Sequence, residues 1–445
     1  MSRVITAKFG GTSLADASQI RKVAEIIKSN PERRYVVASA PGKRFKDDIK
    51  VTDLLYSCYS EFAKGDEYSG TLAKIKARYA EIISELGIKF DIGAEIEKIE
   101  NELRYYPPAD YLASRGEYLN SKIIAEFLGW PFVDAAEVIF FDENGNFDGE
   151  RTFMTMSGKL RDFPNAVIPG FYGTQISVSS MPQGGIKTFS RGGSDVTGSI
   201  VARSTQSDIY ENWTDVSGML SADPRIVSNP KPIEYITYTE LRELSYMGAS
   251  VLHEDAVFPV RKAGIPINIR NTNSPDDKGT LIAATIPSDV KRNPVTGIAG
   301  RKGFTSIRVE KSQMNGETGF GARLLYIFAR NGIPFEHCPT GIDTISVVVN
   351  SSSFDAKRDE ILRELKNELS PDFITIEKNL AVIAVVGEGM VSARGTAAKV
   401  FSALAEAGVN IRMIDQGSDE LNIIIGVDEA DYEKSLKALY SAMIK

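Results

Sequence analysis

The sequence predicts an α/β protein, a mostly parallel sheet sandwiched by helices and followed by two smaller α/β units of related plan. Three observations predict this. β-Branched and aliphatic runs alternate with helical periodicity up to about residue 285. A glycine pair stands twice between a strand-like run and a helix start, in KFGGTS (8–13) and SRGGSD (190–195). From residue 304 onward a strand–helix–strand order occurs twice, with a period of about 75 residues.

The strand-like runs are 4–9, 35–39, 131–133, 165–171, 186–189, 208–213 and 265–271. After KFGGTS, Ile20, Val23, Ile26 and Ile27 fall on one helical face, and Asn30-Pro31 ends the helix. A helix over 110–127 turns Leu112, Leu119, Ile123 and Phe127 inward and leaves Arg115 and Glu117 elsewhere on its surface. The stretch IPSDVKRNPV (286–295), with two prolines and mixed charges, reads as a linker. The repeated units then place strands at 304–309, 345–349, 381–386 and 422–427, with helices after Gly321 and Gly395, the size of two βαββαβ modules.

With 445 residues the chain has room for two or three domains. Lysine and arginine number 52 against 59 acids, and no basic stripe occurs, which argues against a nucleic-acid partner and for small-molecule partners. Cys58 and Cys338 lack metal-ligand spacing and suggest a reducing compartment, with both thiols as small buried hydrophobes. Neither a signal pattern nor an apolar run long enough to span a membrane is visible, so no membrane partner and a cytoplasmic location are expected.

The glycine pairs carry the chemistry. Gly10 and Gly11 leave main-chain N–H groups open to an anion at a helix start, and Lys8 would stand at the strand's carboxyl edge, where open α/β sheets bind ligands. An ordinary tight turn with a solvated lysine explains this segment alone as well, and the usual GxxxxGK[ST] loop is absent. The second pair, flanked by Arg191 and Asp195, is harder to explain as turn chemistry. Two anion cradles with Lys8, Arg191 and Asp195 suggest phosphoryl transfer, in which positioning and charge neutralisation do most of the work.

KFGGTS, SRGEYLNS (114–121), FSRGGSD (189–195), WTDVSG (213–218) and MGASVLH (247–253) together resemble the aspartokinases of the amino acid kinase superfamily, in order and in spacing. GIDTISVVV and NIRMIDQGSDELNIIIGV resemble their paired ACT modules. The resemblance implies the carbamate-kinase-like fold over 1–290 and a regulatory region over 291–445, with ferredoxin-like modules at about 304–378 and at 295–303 plus 379–445. It implies phosphorylation of the side-chain carboxylate of L-aspartate by ATP, with Mg²⁺ accompanying the nucleotide, and no homoserine dehydrogenase segment. By matching, Lys8 and Asp195 are catalytic; Ser39, Thr52, Glu117, Arg191 and Ser194 hold aspartate. Lys8, Gly10, Gly11, Ser13, Trp213, Thr214, Asp215 and Arg225 meet the nucleotide. No protein metal cage is expected.

Two departures from the family stand out. Many aspartokinases carry lysine where Ser250 stands, and the basic segment 40–55 is longer than usual, so Lys43 or Lys46 is a candidate for the missing charge. His253 reads as a structural histidine. In the regulatory region Met314, Gly319, Phe320 and Gly321 precede or begin a helix fit for an effector's α-carboxylate, and Glu336 and Asp343 are the acids opposite, which favours lysine as effector over threonine. ACT modules commonly pair by their edges, so a homodimer or a dimer of dimers is expected. An amino-acid sensor with an impaired kinase site, or a kinase for another amino acid, is the alternative.

Overall fold

The computed structural model describes residues 3–176, 185–190, 192–249, 252, 254–287 and 289–444. Its contacts divide the chain into two compact units, Met1–Met219 with Glu234–Tyr238 and Val251–Ile286, and Leu220–Ile233 with Thr239–Ser250 and Pro287–Lys445. Two segments before the linker, 220–233 and 239–250, therefore pack with the second unit.

The first unit is built on a seven-stranded sheet in the order Ala166–Pro169, Arg33–Ala38, Ile5–Phe9, Ile209–Thr214, Ile267–Asn271, Thr280–Ala283, Tyr235–Thr237. All neighbouring pairs are parallel except Ile267–Asn271 with Thr280–Ala283. The interior strand Ile5–Phe9 is buried along its whole length, as a parallel strand covered on both faces must be. Its helix runs Ala17–Ser29 with Ile20, Val23, Ile26 and Ile27 buried and Asn30 at its end. That helix begins later than the glycine loop suggests: Thr12–Leu14 is a single 3₁₀ turn, and Asp16 caps Ala17–Ser29 by accepting the Gln19 N–H.

Two strand expectations are corrected. Residues 131–133 reduce to one bridge between Phe132 and Val167. Ile186–Thr188 leaves the main sheet and pairs antiparallel with Tyr172–Gln175, beside Phe140–Phe141, in a three-stranded side sheet. The rings of Phe141, Phe147 and Phe189 cluster there and supply the apolar anchor that draws this strand aside. The helix Ala109–Leu128 also differs from expectation, because Arg115 and Glu117 are buried. It packs against the helix Val51–Lys64 and the strands Ala166–Pro169 and Ile186–Thr188, so a second face is covered. Arg115 lies among the rings of Tyr111, Tyr118 and Tyr172, which shield its guanidinium. Of the cysteines, Cys58 is fully buried and Cys338 only partly.

The second unit holds a six-stranded antiparallel sheet in the order Phe335–His337, Thr344–Asn350, Gly297–Glu310, Phe373–Val386, Asn422–Asp428, Ile411–Asp415. The long strands Gly297–Glu310 and Phe373–Val386 run through both modules, pairing from Gly297–Val386 to Glu310–Phe373. One core gathers Phe320, Leu324, Val347 and Leu365, the other Ile383, Val400, Ile425 and Leu439. The linker is anchored: Arg292 bonds both carboxylate oxygens of fully buried Glu240 at 2.6 Å, and Thr296 Oγ1 donates to Glu240 at 2.7 Å.

Candidate active site

A cavity of about 240 Å³ in the first unit is lined by Lys8, Ser39, Thr52, Glu117, Phe171 and Gly192–Asp195. Six residues singled out in the sequence, Lys8, Ser39, Thr52, Glu117, Ser194 and Asp195, are thus brought together from four elements and the loop after Arg33–Ala38. Lys8 comes from the strand Ile5–Phe9, and Asp195 from the first turn of the helix Gly193–Ser204. The Lys8 Nζ lies 2.5 Å from Asp195 Oδ1.

That helix start depends on its glycines. Gly192 takes φ 57°, a left-handed conformation that suits glycine, and a Cβ on Gly193 would stand 2.5 Å from the Phe171 ring and 2.9 Å from its Cα. Its positive end therefore opens into the cavity. The first glycine pair works differently. A Cβ on Gly11 would meet the Ala40 carbonyl oxygen at 2.9 Å, and one on Gly42 would meet Gly11 C at 2.6 Å, so two loops pass backbone to backbone. The Gly10 N–H donates to the Trp213 carbonyl, and Thr272 Oγ1 donates to Ser13 Oγ at 2.7 Å. These bonds fix in place the loop that follows the strand of Lys8.

Glu117 is 6 % exposed, and its Oε2 has no hydrogen-bond partner. Burial pushes its carboxyl up to about 8, against the lowering effects of the Ala40 backbone N–H and of the Lys8 charge. Such a group calls for a cation brought by a ligand. Asp195 Oδ1 also accepts from Asn212 Nδ2 at 2.7 Å, and Tyr210 Oη donates to the Asp195 carbonyl at 3.1 Å. Asn212, Tyr210 and Phe171 escaped the sequence reading. Asn212 carried a signal, because strand alternation puts it on the same face as Lys8, its register partner.

The other expected nucleotide contacts do not join this cavity. Trp213 is 1 % exposed; its ring stacks on Phe9, lies against the guanidinium groups of Arg33 and Arg270, and donates Nε1–H to Glu211 at 2.8 Å. These contacts pack the ring inside the first unit. Thr214 ends the strand Ile209–Thr214, and exposed Asp215 accepts from its hydroxyl. Arg225 belongs to the second unit, where it pairs with Asp223 at 2.6 Å. Lys43 and Lys46 are exposed, while Arg44 and Arg78 bind Asp48 and hold its carboxyl well below the usual range. Arg191, Ser250 and His253 lie outside the described residues.

Among the effector candidates, Met314 and Phe320 are core residues of the first module. Gly319, at φ 81°, precedes the helix Phe320–Arg330, and a Cβ on Gly321 would make only an ordinary 3.8 Å contact with Ile345. Glu336 accepts from Arg301 Nη2 at 3.2 Å and from Tyr246 Oη at 2.5 Å. Asp343 is exposed.

Comparisons with known proteins agree on the kind of protein. The amino acid kinase family model matches residues 3–271, and an ACT domain model matches 383–443. Aspartokinase 3 of Bacillus subtilis is 40% identical over 451 residues, covering 97% of both chains, and the lysine-sensitive aspartokinase 3 of Escherichia coli is 27% identical over the full length of both. The crystal structure of Clostridium acetobutylicum aspartate kinase superimposes with a TM-score of 0.90 at 49% identity and 99% coverage of each chain. Escherichia coli aspartokinase III in complex with aspartate and ADP gives 0.74 at 25% identity and 100% coverage of each. On this fold and these matches, the chain belongs to the amino acid kinase family and is an aspartokinase with C-terminal ACT modules.

Proposed function

We propose that the cavity at Lys8, Glu117 and Asp195 is where the β-carboxylate of L-aspartate takes the γ-phosphoryl group of ATP, giving 4-phospho-L-aspartate. The observation that carries this reading is the buried, partnerless Glu117 Oε2 beside a lysine held by an aspartate. An α-ammonium ion on Glu117 leaves the far carboxylate of the same small molecule pointing toward Lys8 and the helix start at Gly193. The relative whose structure holds aspartate and ADP supports the same pair of substrates.

Both reacting groups are anions, so screening is the main task. Lys8 supplies a positive charge beside the transferring group, and the N–H groups from Gly193 onward add the positive end of a helix. No side-chain base is required, because the nucleophile is ionised at neutral pH. Ser39 and Thr52 bring hydroxyl-bearing side chains to the lining of the same cavity, and Arg191 is assigned from sequence to the α-carboxylate, which its planar fork can bind twice. Gly10, Gly11 and Ser13 shape the nucleotide side through their backbone, with Thr214 and Asp215 at the end of the strand Ile209–Thr214. Among the described residues no cluster of three potential ligands could hold a metal ion. Asp195, which lines the cavity, would face Mg²⁺ brought by the nucleotide phosphates, and the ion would neutralise phosphate charge.

The reaction is read as the first step of aspartate-family amino acid biosynthesis, toward lysine, threonine and methionine. The ACT modules are read as the seat of feedback by an amino acid. Lysine is favoured, with its α-carboxylate at the start of Phe320–Arg330 and its ε-ammonium on Asp343; the E. coli relative named lysine-sensitive supports this choice. Edge pairing of the modules is read as giving a homodimer or a dimer of dimers, which sedimentation equilibrium tests. A hydroxamate assay with ATP and Mg²⁺ tests the substrate: acyl phosphate trapped with L-aspartate, and not with L-glutamate or acetylglutamate, is the expected result. No trapping with any acceptor would favour an impaired sensor.

A further inference from the structure

We propose that Asn212 is a positioning residue for phosphoryl transfer, holding the carboxylate of Asp195 so that Lys8 is aimed at the reacting groups. The inference rests on the reading of Lys8 and Asp195 given above. Lys8 and Asn212 are direct partners in the parallel register of Ile5–Phe9 and Ile209–Thr214, so both side chains leave the same face of the sheet. They converge on one atom: Asp195 Oδ1 lies 2.5 Å from Lys8 Nζ and 2.7 Å from Asn212 Nδ2.

The two donors have different surroundings. Lys8 and Asp195 line the cavity, whereas Asn212, 3 % exposed, does not. Asn212 Nδ2 is also 3.3 Å from Tyr210 Oη, which donates to the Asp195 carbonyl. Carboxylate and backbone of Asp195 are thus tied from behind. A neutral amide is suited to this place. It fixes the carboxylate without adding a second cation, which would weaken the hold on Lys8, or a second anion, which would neutralise the charge that Lys8 brings to the phosphoryl group. A buried hydrogen bond to an ionised acceptor is also stronger than a neutral one, so the rotamer it selects is well defined.

Steady-state kinetics on Asn212→Leu and Asn212→Ser, alone and combined with Lys8→Ala, test the proposal. In Asn212→Leu, kcat should fall about 10-fold, the scale of one charge-assisted hydrogen bond, while the KM for L-aspartate stays within about 2-fold. Asn212→Ser, which keeps a donor at shorter reach, should lose less. If Asn212→Leu does not fold, the fall in kcat at unchanged KM is read from Asn212→Ser. In the Lys8→Ala background either change should cost nothing further, since the ammonium it aims is gone; a residue that merely supports the fold would lower turnover in both backgrounds. Full turnover in both single variants, or losses that multiply with Lys8→Ala, would overturn the inference. Full turnover in Lys8→Ala itself would instead overturn the proposed function.

Discussion

Lys8 Nζ and Asp195 Oδ1 lie 2.5 Å apart, joining the interior strand Ile5–Phe9 of the mostly parallel sheet to the first turn of the helix that opens into the cavity. The pair fixes the lysine ammonium where charge must be screened, at the positive end of a helix. Asp195→Asn keeps the shape and removes the charge that holds Lys8. It should lower kcat by roughly 10²-fold, the scale of disturbing one preorganised charge at a reacting centre. Stopped-time acyl-phosphate trapping measures this, and near-normal turnover would remove the pair from the mechanism.

Glu117 gives a pH signature. Its carboxyl is raised to about 8 by burial, so at neutral pH the empty site is mostly protonated. Binding an ammonium group requires the carboxylate, so aspartate binding should release a proton and the KM for aspartate should fall as pH rises from 6.5 to 8.5. For folding the sign runs the other way. The native group holds its proton more tightly than the unfolded one, so its contribution is complete below the unfolded value and is lost as pH rises through about 8. Glu117→Gln should flatten both profiles; calorimetry in two buffers of different ionisation enthalpy checks the proton count.

Glu211 is a stability site rather than a catalytic one. Its buried carboxylate binds Arg33 at 2.7 and 3.2 Å, faces Arg270 at 3.7 Å and accepts the Trp213 indole N–H. Glu211→Gln would remove the buried carboxylate that the two guanidinium groups around Trp213 share, and should lower unfolding stability by about 3 kcal/mol or more. Urea unfolding followed by Trp fluorescence measures the change; a loss below about 1 kcal/mol would show that water already neutralises the cluster.

Feedback by lysine has its own test. Gly321→Glu fits sterically, since the first side-chain atom meets only Ile345, and it puts an anion where an effector carboxylate would sit. Basal turnover should remain near wild type, while inhibition by millimolar lysine should be lost; a coupling of ~1 to 3 kcal/mol would be ordinary. Inhibition that survives the substitution would move the effector elsewhere.

Much of the fold was legible because parallel strands are continuous apolar runs and the helix Ala17–Ser29 keeps its period. The side sheet was not, since Ile186–Thr188 joins partners that only the aromatic cluster of Phe141, Phe147 and Phe189 selects. In the site, Lys8, Asp195 and the second glycine pair were readable from type and spacing. The burial of Glu117 was hidden, because a helix covered on two sides shows no clean polar face. The surroundings of Trp213 and Glu336 were hidden for a common reason: their partners, Phe9 with two arginines and Arg301 with Tyr246, lie far away in sequence.

The central claim is that phosphoryl transfer to aspartate takes place beside Lys8, and Lys8→Ala tests it most directly. With ATP, Mg²⁺, L-aspartate and hydroxylamine, wild type and a folded Lys8→Ala variant are compared at saturating substrate. The account predicts aspartyl hydroxamate from the wild type and a kcat roughly 10²-fold lower or less still in the variant, since one charge partner of the transition state is gone. Hydroxamate formed by Lys8→Ala at the wild-type rate would contradict it.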